Sequence, residues 1–284
     1  MSLPVENTSV EPEASSEAYV TEHTLFAEPI FHWGGFTVTN SLLNSWLSLV
    51  VIIALAWAIG RKVSLVPKGL QNFFEAIVEL FLDLFDTVTG SREKSLQVAP
   101  FVLTFFFFVL INNWMGILPG IGSVGQIVEH HGENIFIPFF RGATADLNTT
   151  LALATIGVVA SHIFGVMMIG AWKHFNKFIN LQAFLDIPKH IKSNPTIILV
   201  NPIKAFVGIV EIIGELAKVA SLSFRLFGNI FAGEVLLASM SAILAWGVPI
   251  PFMFLEIIVG LIQALIFSLL ILIYLSTAST ADEH

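Results

Sequence analysis

Apolar residues run along this chain in long blocks rather than in narrow stripes. Five blocks, at about 40–60, 97–118, 147–172, 203–246 and 251–276, are each long enough to cross hydrocarbon, which takes ~20 helical residues. The fourth, at about 44 residues, would span ~66 Å as one helix, roughly twice the hydrocarbon thickness. It must break or lie strongly tilted. Only Gly247-Val-Pro-Ile-Pro251 separates it from the fifth, so the two read as one long tilted hairpin. A sixth pattern, at about 68–90, is different. Leu70, Phe73, Phe74, Ile77, Val78, Phe81, Phe85 and Val88 recur at helical spacing, while Glu75, Glu79, Asp83 and Asp86 line the other face. The pattern predicts an all-α membrane protein with five crossing helices and one amphipathic helix at the cytoplasmic surface. A helix lying on anionic lipid carries a basic polar face. This one is acidic, which suits a protein partner as well as a plain connecting helix. No internal repeat is visible, which argues against an inverted-repeat transporter.

Charge adds orientation. Only 12% of residues are charged, against about 25% in a soluble domain. The connection 61–96 holds Arg61, Lys62, Lys68, Arg92 and Lys94, and the connection 172–204 holds Lys173, Lys177, Lys189, Lys192 and Lys204. The opposite side has only Arg141. This bias puts the N-terminus outside and the C-terminus in the cytoplasm. Residues 1–39 form an acidic extracytoplasmic segment, rich in Glu and without Lys or Arg, and 40–284 the polytopic domain. The tail has no early apolar run, so it is not read as a cleavable signal peptide. The absence of Cys excludes disulfides and thiolate metal sites. A net charge of −8 gives no reason to expect nucleic acid.

Polar residues inside the apolar blocks carry the chemistry. Glu211, Glu215, Lys218, Arg225, Asn229 and Glu234 lie on the fourth block, and Glu256 and Gln263 on the fifth. A guanidinium in hydrocarbon costs about 2.5–3.5 kcal/mol on insertion scales and does not escape by losing its proton. Glu211, Lys218 and Arg225 are spaced by seven and share a helix face, as do Glu256 and Gln263. With the orientation above, Glu211 lies toward the cytoplasm, Arg225 centrally and Glu234 toward the outside. Glu234 and Glu256 both lie near the outer turn, where two carboxylates in low dielectric cannot both ionise cheaply. The arrangement describes two half-channels separated by a fixed cation that protons do not pass readily.

Plainer readings compete at some of these positions. Glu215 with Lys218 reads as a structural i,i+3 pair. Glu211 also suits a solvated helix end, and His162 a packed histidine. His130-His131 lacks a convergent third ligand, so no metal is expected. No phosphate loop or nucleophile–base constellation appears, so neither catalysis nor a cofactor is expected. A rival reading is a proton-coupled secondary transporter in which Arg225 binds an anionic substrate.

At Ser223-Phe-Arg225-Leu-Phe-Gly228-Asn229-Ile-Phe-Ala-Gly233-Glu234 the sequence resembles the a-subunit family of F-type ATP synthases. Asn113-Trp-Met-Gly-Ile-Leu-Pro119, Thr144-Ala-Asp146-Leu-Asn148-Thr149-Thr150 and Leu261-Ile-Gln263-Ala extend the likeness over nearly the whole chain. The resemblance implies a non-catalytic proton-channel stator in a bacterial inner membrane. Its implied partners are a ring of small carboxylate-bearing c subunits, the peripheral-stalk b subunits and the rest of the synthase. Arg225 would then be the essential transport residue. Asn229, Glu234 and Gln263 would match the outer pathway, with Asp146 and Asn148 at its entrance, and Glu211 the cytoplasmic one; Glu256 joins the outer pathway by its nearness to Glu234. Where some bacterial relatives have histidine, this chain has Glu256.

Overall fold

The structure, a computed structural model, describes residues 24–61, 63–118, 120–130, 133–179, 197–244 and 247–279. Its first element is a hairpin that the hydropathy pattern did not predict. Strands β1 (Pro29–Trp33) and β2 (Phe36–Thr39) pair antiparallel across Gly34-Gly35. Both glycines have positive φ, +55° and +90°, as a tight two-residue hairpin turn requires. Thr39 then accepts from Leu42 N as the cap of helix α1 (Asn40–Gly60).

Helix α1 is inside-out by the standards of a soluble protein. Its buried residues are Asn40, Ser41, Asn44 and Ser48, while Trp46, Val50, Ile53 and Trp57 are exposed. That distribution fits a helix surrounded by lipid, where polar side chains join helices and apolar ones face the acyl chains. Ser48 accordingly donates to Asn112 of α3 (Arg92–Ile117) at 3.1 Å.

The amphipathic helix α2 (Leu70–Thr89) comes between these two in sequence, packs against α3 and buries Phe81, Leu82 and Phe85. Part of its acidic face is already engaged within the chain, because Arg92 contacts Asp83 at 3.2 Å and Asp86 at 2.9 Å. A second unexpected hairpin, β3 (Gly125–His130) with β4 (Glu133–Pro138), follows α3. Helix α4 (Leu147–Ile169) turns at Gly170 (φ +90°) into the short α5 (Ala171–Ile179).

Helix α6 (Ile197–Ile243) runs for 47 residues without interruption. Of the two alternatives open to so long a block, a break is excluded. At 1.5 Å per residue it is ~70 Å long, so it tilts or projects beyond the bilayer. Helix α7 (Pro249–Ser279) returns after Gly247 (φ +94°). Helices α3, α4, α6 and α7 share one core in which Val102, Phe105, Leu226, Phe267, Ile271 and Leu272 are buried. Small residues set the spacing. The missing side chain of Gly157 admits Ile271, and Gly260 seats Asn113, whose amide donates to the Gly260 carbonyl at 2.9 Å. The five long apolar helices match the five predicted crossings.

Candidate functional site

Helix α6 has two unlike faces. Leu222, Ser223, Leu226, Phe227 and Ile230 are buried against the rest of the molecule. Thr150 and Ser223 meet hydroxyl to hydroxyl at 3.2 Å, which fixes α6 on α4. The opposite stripe, Ala217, Ser221, Arg225, Gly228 and Ala232, is exposed. Arg225 therefore points away from the protein's own core, and Ser221 Oγ lies 3.5 Å from its Nη2. Its neighbours on the stripe are all small. A face of that kind lets another helix approach closely in a bilayer.

Toward the α6–α7 turn, polar residues meet across the two helices. Asn229 donates from Nδ2 to Gln263 Oε1 at 2.7 Å. Glu234 is gripped by Arg141, whose Nε reaches Oε1 at 3.0 Å and Oε2 at 3.2 Å, with Nη2 at 2.9 Å from Oε2. Arg141 also donates to the carbonyls of Thr24 and Phe26, at 2.9 and 3.3 Å. In the sequence Arg141 stands out only as the lone cation of its side. Its pairing with a carboxylate of the fourth long apolar helix is not visible there, because nothing local joins positions 93 residues apart.

Glu256 is buried, and its carboxyl group lies against Gly233. The Glu256 carboxyl group thus meets α6 at Gly233, the residue before Glu234, while the Glu234 carboxylate is held by the Arg141 guanidinium. One prediction follows from the fit at Gly233, where any Cβ would collide with the Glu256 carboxyl group. Gly233→Ala is expected to lower the thermal unfolding midpoint of the purified protein by several degrees, and Glu256→Asp in the same chain to restore part of it by withdrawing the carboxyl group. An unchanged midpoint in Gly233→Ala would remove the constraint.

Asp146 has a structural place. It caps α4 by accepting from Asn148 N and Thr149 N, and also accepts from Thr149 Oγ1 at 2.8 Å, Ser41 Oγ at 3.2 Å and Ala27 N at 3.1 Å. These donors satisfy a buried carboxylate. Asn148 is exposed beside it.

At the other end of α6, Glu211 lines a cavity of about 170 Å³ together with Ser161, His162, His174, Glu215, Lys218 and Tyr274. Glu215 does pair with Lys218, at 2.6 Å, and it also faces His162 Nε2 at 3.4 Å. His162 is no isolated packed histidine, since its Nδ1 lies 3.1 Å from His174 Nε2. Among the described residues no group of three or more His, Asp or Glu side chains is arranged to hold a metal ion.

The molecule is thus a polytopic membrane protein with an outward-facing arginine midway along a membrane helix and a polar cluster toward each end. Residues 42–276 match the family of the ATP synthase A chain. The chain is 32% identical over 257 residues to ATP synthase subunit a of Syntrophobacter fumaroxidans, covering 90% of this chain and 91% of that one. It is 33% identical over 262 residues to the subunits of the same name from Mycobacterium bovis and Mycobacterium tuberculosis, covering 89% of this chain and 92% of theirs. The chain belongs to the ATP synthase A chain family.

Proposed function

We propose that this chain conducts protons between the two sides of the membrane through two offset half-channels that meet a rotor at Arg225. Family membership makes it a membrane subunit of an ATP synthase, in service of proton translocation and not of nucleotide chemistry. The observation that carries the finer reading is the exposed Arg225 on a stripe of small residues. A guanidinium facing outward at mid-membrane is costly unless a partner meets it. A ring of small c subunits, each bearing a carboxylate, supplies that partner repeatedly. The passing carboxylate is favoured in its ionised form by the nearby cation and releases its proton there.

In this reading Asn229, Gln263, Glu234 and Glu256 form the outer pathway, with Asn148 at its mouth and Arg141 holding Glu234. Glu211 and its cavity form the cytoplasmic pathway. Asp146 serves as cap and anchor. The peripheral-stalk b subunits take the part of the α2 acidic face that Arg92 leaves uncovered. The Lys and Arg bias supports an external N-terminus and a cytoplasmic C-terminus in a bacterial inner membrane. A secondary transporter that bound an anion at Arg225 would need to enclose it, whereas this side chain faces outward.

Reconstitution tests the proposal. Proton flux is expected from vesicles holding the chain with a carboxylate-bearing ring, and none from vesicles holding the chain alone. Equal flux in both would overturn the rotor role. Orientation has its own check, because Ser64 and Ser123 are exposed in a chain without Cys. Single cysteines at those two positions are expected to react with an impermeant maleimide from opposite sides.

A further inference from the structure

We propose that His162 and His174 form a proton relay at the cytoplasmic cavity, passing protons between the aqueous side and the Glu211–Glu215 segment of α6. This rests on the half-channel reading above and names the groups that work its inner mouth. The geometry is a continuous chain of three side chains from three helices. His174 Nε2 lies 3.1 Å from His162 Nδ1, and His162 Nε2 lies 3.4 Å from Glu215 Oε2. His162 therefore uses both ring nitrogens, one toward each neighbour. A proton that arrives at one nitrogen leaves from the other, and the ring ends in its alternative tautomer.

The surroundings of the pair are polar and charged. From α6, Glu211, Glu215 and Lys218 face it, and from α7, Tyr274. Lys218 is held by Glu215 at 2.6 Å. The site is also built for His174. The ring packs on Gly165 so closely that a Cβ there would lie 2.7 Å from its Nδ1 and Cε1. Gly165 is thus what lets α5 fold its buried histidine back against α4.

The test uses the complete synthase in inverted vesicles, whose cytoplasmic face meets the medium. In the pumping direction protons are taken up from the medium, so a relay must be protonated to work and slows as the pH rises. His162→Gln keeps hydrogen bonding but does not titrate. It is expected to slow ATP-driven pumping roughly tenfold or more, as loss of a proton-transfer group does. It should also erase the part of the pH profile that lies between about pH 5 and 8 in the unaltered complex. His174→Gln and Gly165→Ala should do likewise. In His162→Ala, added imidazole should restore pumping, and pyrazole, a far weaker base, should not.

A slower rate with the pH profile unchanged and no rescue by imidazole would make the histidines structural and overturn the relay. If His162→Gln does not assemble, His174→Gln and the profile of the unaltered complex decide, since a flat profile excludes the relay. Arg225→Ala, run in the same vesicles, separates the two levels of inference. Retained pumping in that variant would defeat the half-channel reading itself, whereas lost pumping there with normal His162→Gln behaviour would defeat the relay alone.

Discussion

Arg225→Ala is expected to abolish proton-driven ATP synthesis while leaving passive proton conduction through the membrane sector. Two properties of the guanidinium produce this split. A guanidinium does not readily give up its proton, so on the proposed half-channel reading it bars a direct path between the Asn229–Gln263 cluster on one side and the Glu211 cavity on the other. As a planar multi-donor it also attracts the carboxylate of a passing ring subunit. Removing it ends the attraction and opens the barrier together. Arg225→Lys keeps a charge, but on a compact head that loses its proton more readily in a dry site. Synthesis should fail there as well, with less leak than in Arg225→Ala. The measurements are ATP synthesis and passive proton conductance in vesicles carrying each variant. Coupled synthesis in Arg225→Ala would leave the residue a purely structural role.

The second large effect is expected at Arg141. Its side chain is only 5% exposed and its partner Glu234 28% exposed, so the pair sits in a low-dielectric setting with three short contacts. Breaking a buried pair by removing one member costs about 3–5 kcal/mol, because the other charge is left uncompensated. Arg141→Met should therefore destabilise the protein, deprive the Glu234 carboxylate of its guanidinium and release the Thr24–Phe26 segment that the guanidinium also holds. Arg141→Met combined with Glu234→Gln removes both charges and should recover much of the lost stability, though not transport. Thermal unfolding of the purified complex gives the comparison. If the double variant loses as much as the two single losses added together, the pair is not coupled, and Glu234 is a solvated group rather than a clamped one.

These two residues show how differently the site could be read from the chain. Arg225 was legible at once, since a permanent cation in an apolar block stands out against a local background. Asn229 and Gln263 were assigned to one pathway, and in the folded protein they are hydrogen-bonded. The place of Arg141 is not legible, because a cation in a polar loop does not stand out, and only the fold carries Glu234 to it. The surroundings of His162 depend on His174, whose helix α5 is short and folds back at Gly170. Asp146 is legible as a carboxylate at the N-terminal end of a crossing helix, and the fold adds the cap and the contacts with Ala27 and Ser41.

By itself the sequence determined how many helices are long and apolar enough to cross the membrane, which residues are costly there and where along the chain the amphipathic helix lies. Those outcomes depend on transfer from water to lipid, a sum over neighbouring residues that a linear pattern records. The two hairpins escaped because short alternating strands between long apolar blocks leave only a weak trace. Tertiary structure alone decided the pairings: Arg141 with Glu234, His162 with His174 and Glu215, the Glu256 carboxyl group against Gly233, and Asp146 with Ser41 at 105 residues' separation. It also decided that Arg225 faces outward. Periodicity places residues on a common face of a helix, but which face meets a neighbour depends on side chains that pack from other helices, and no local pattern carries that information.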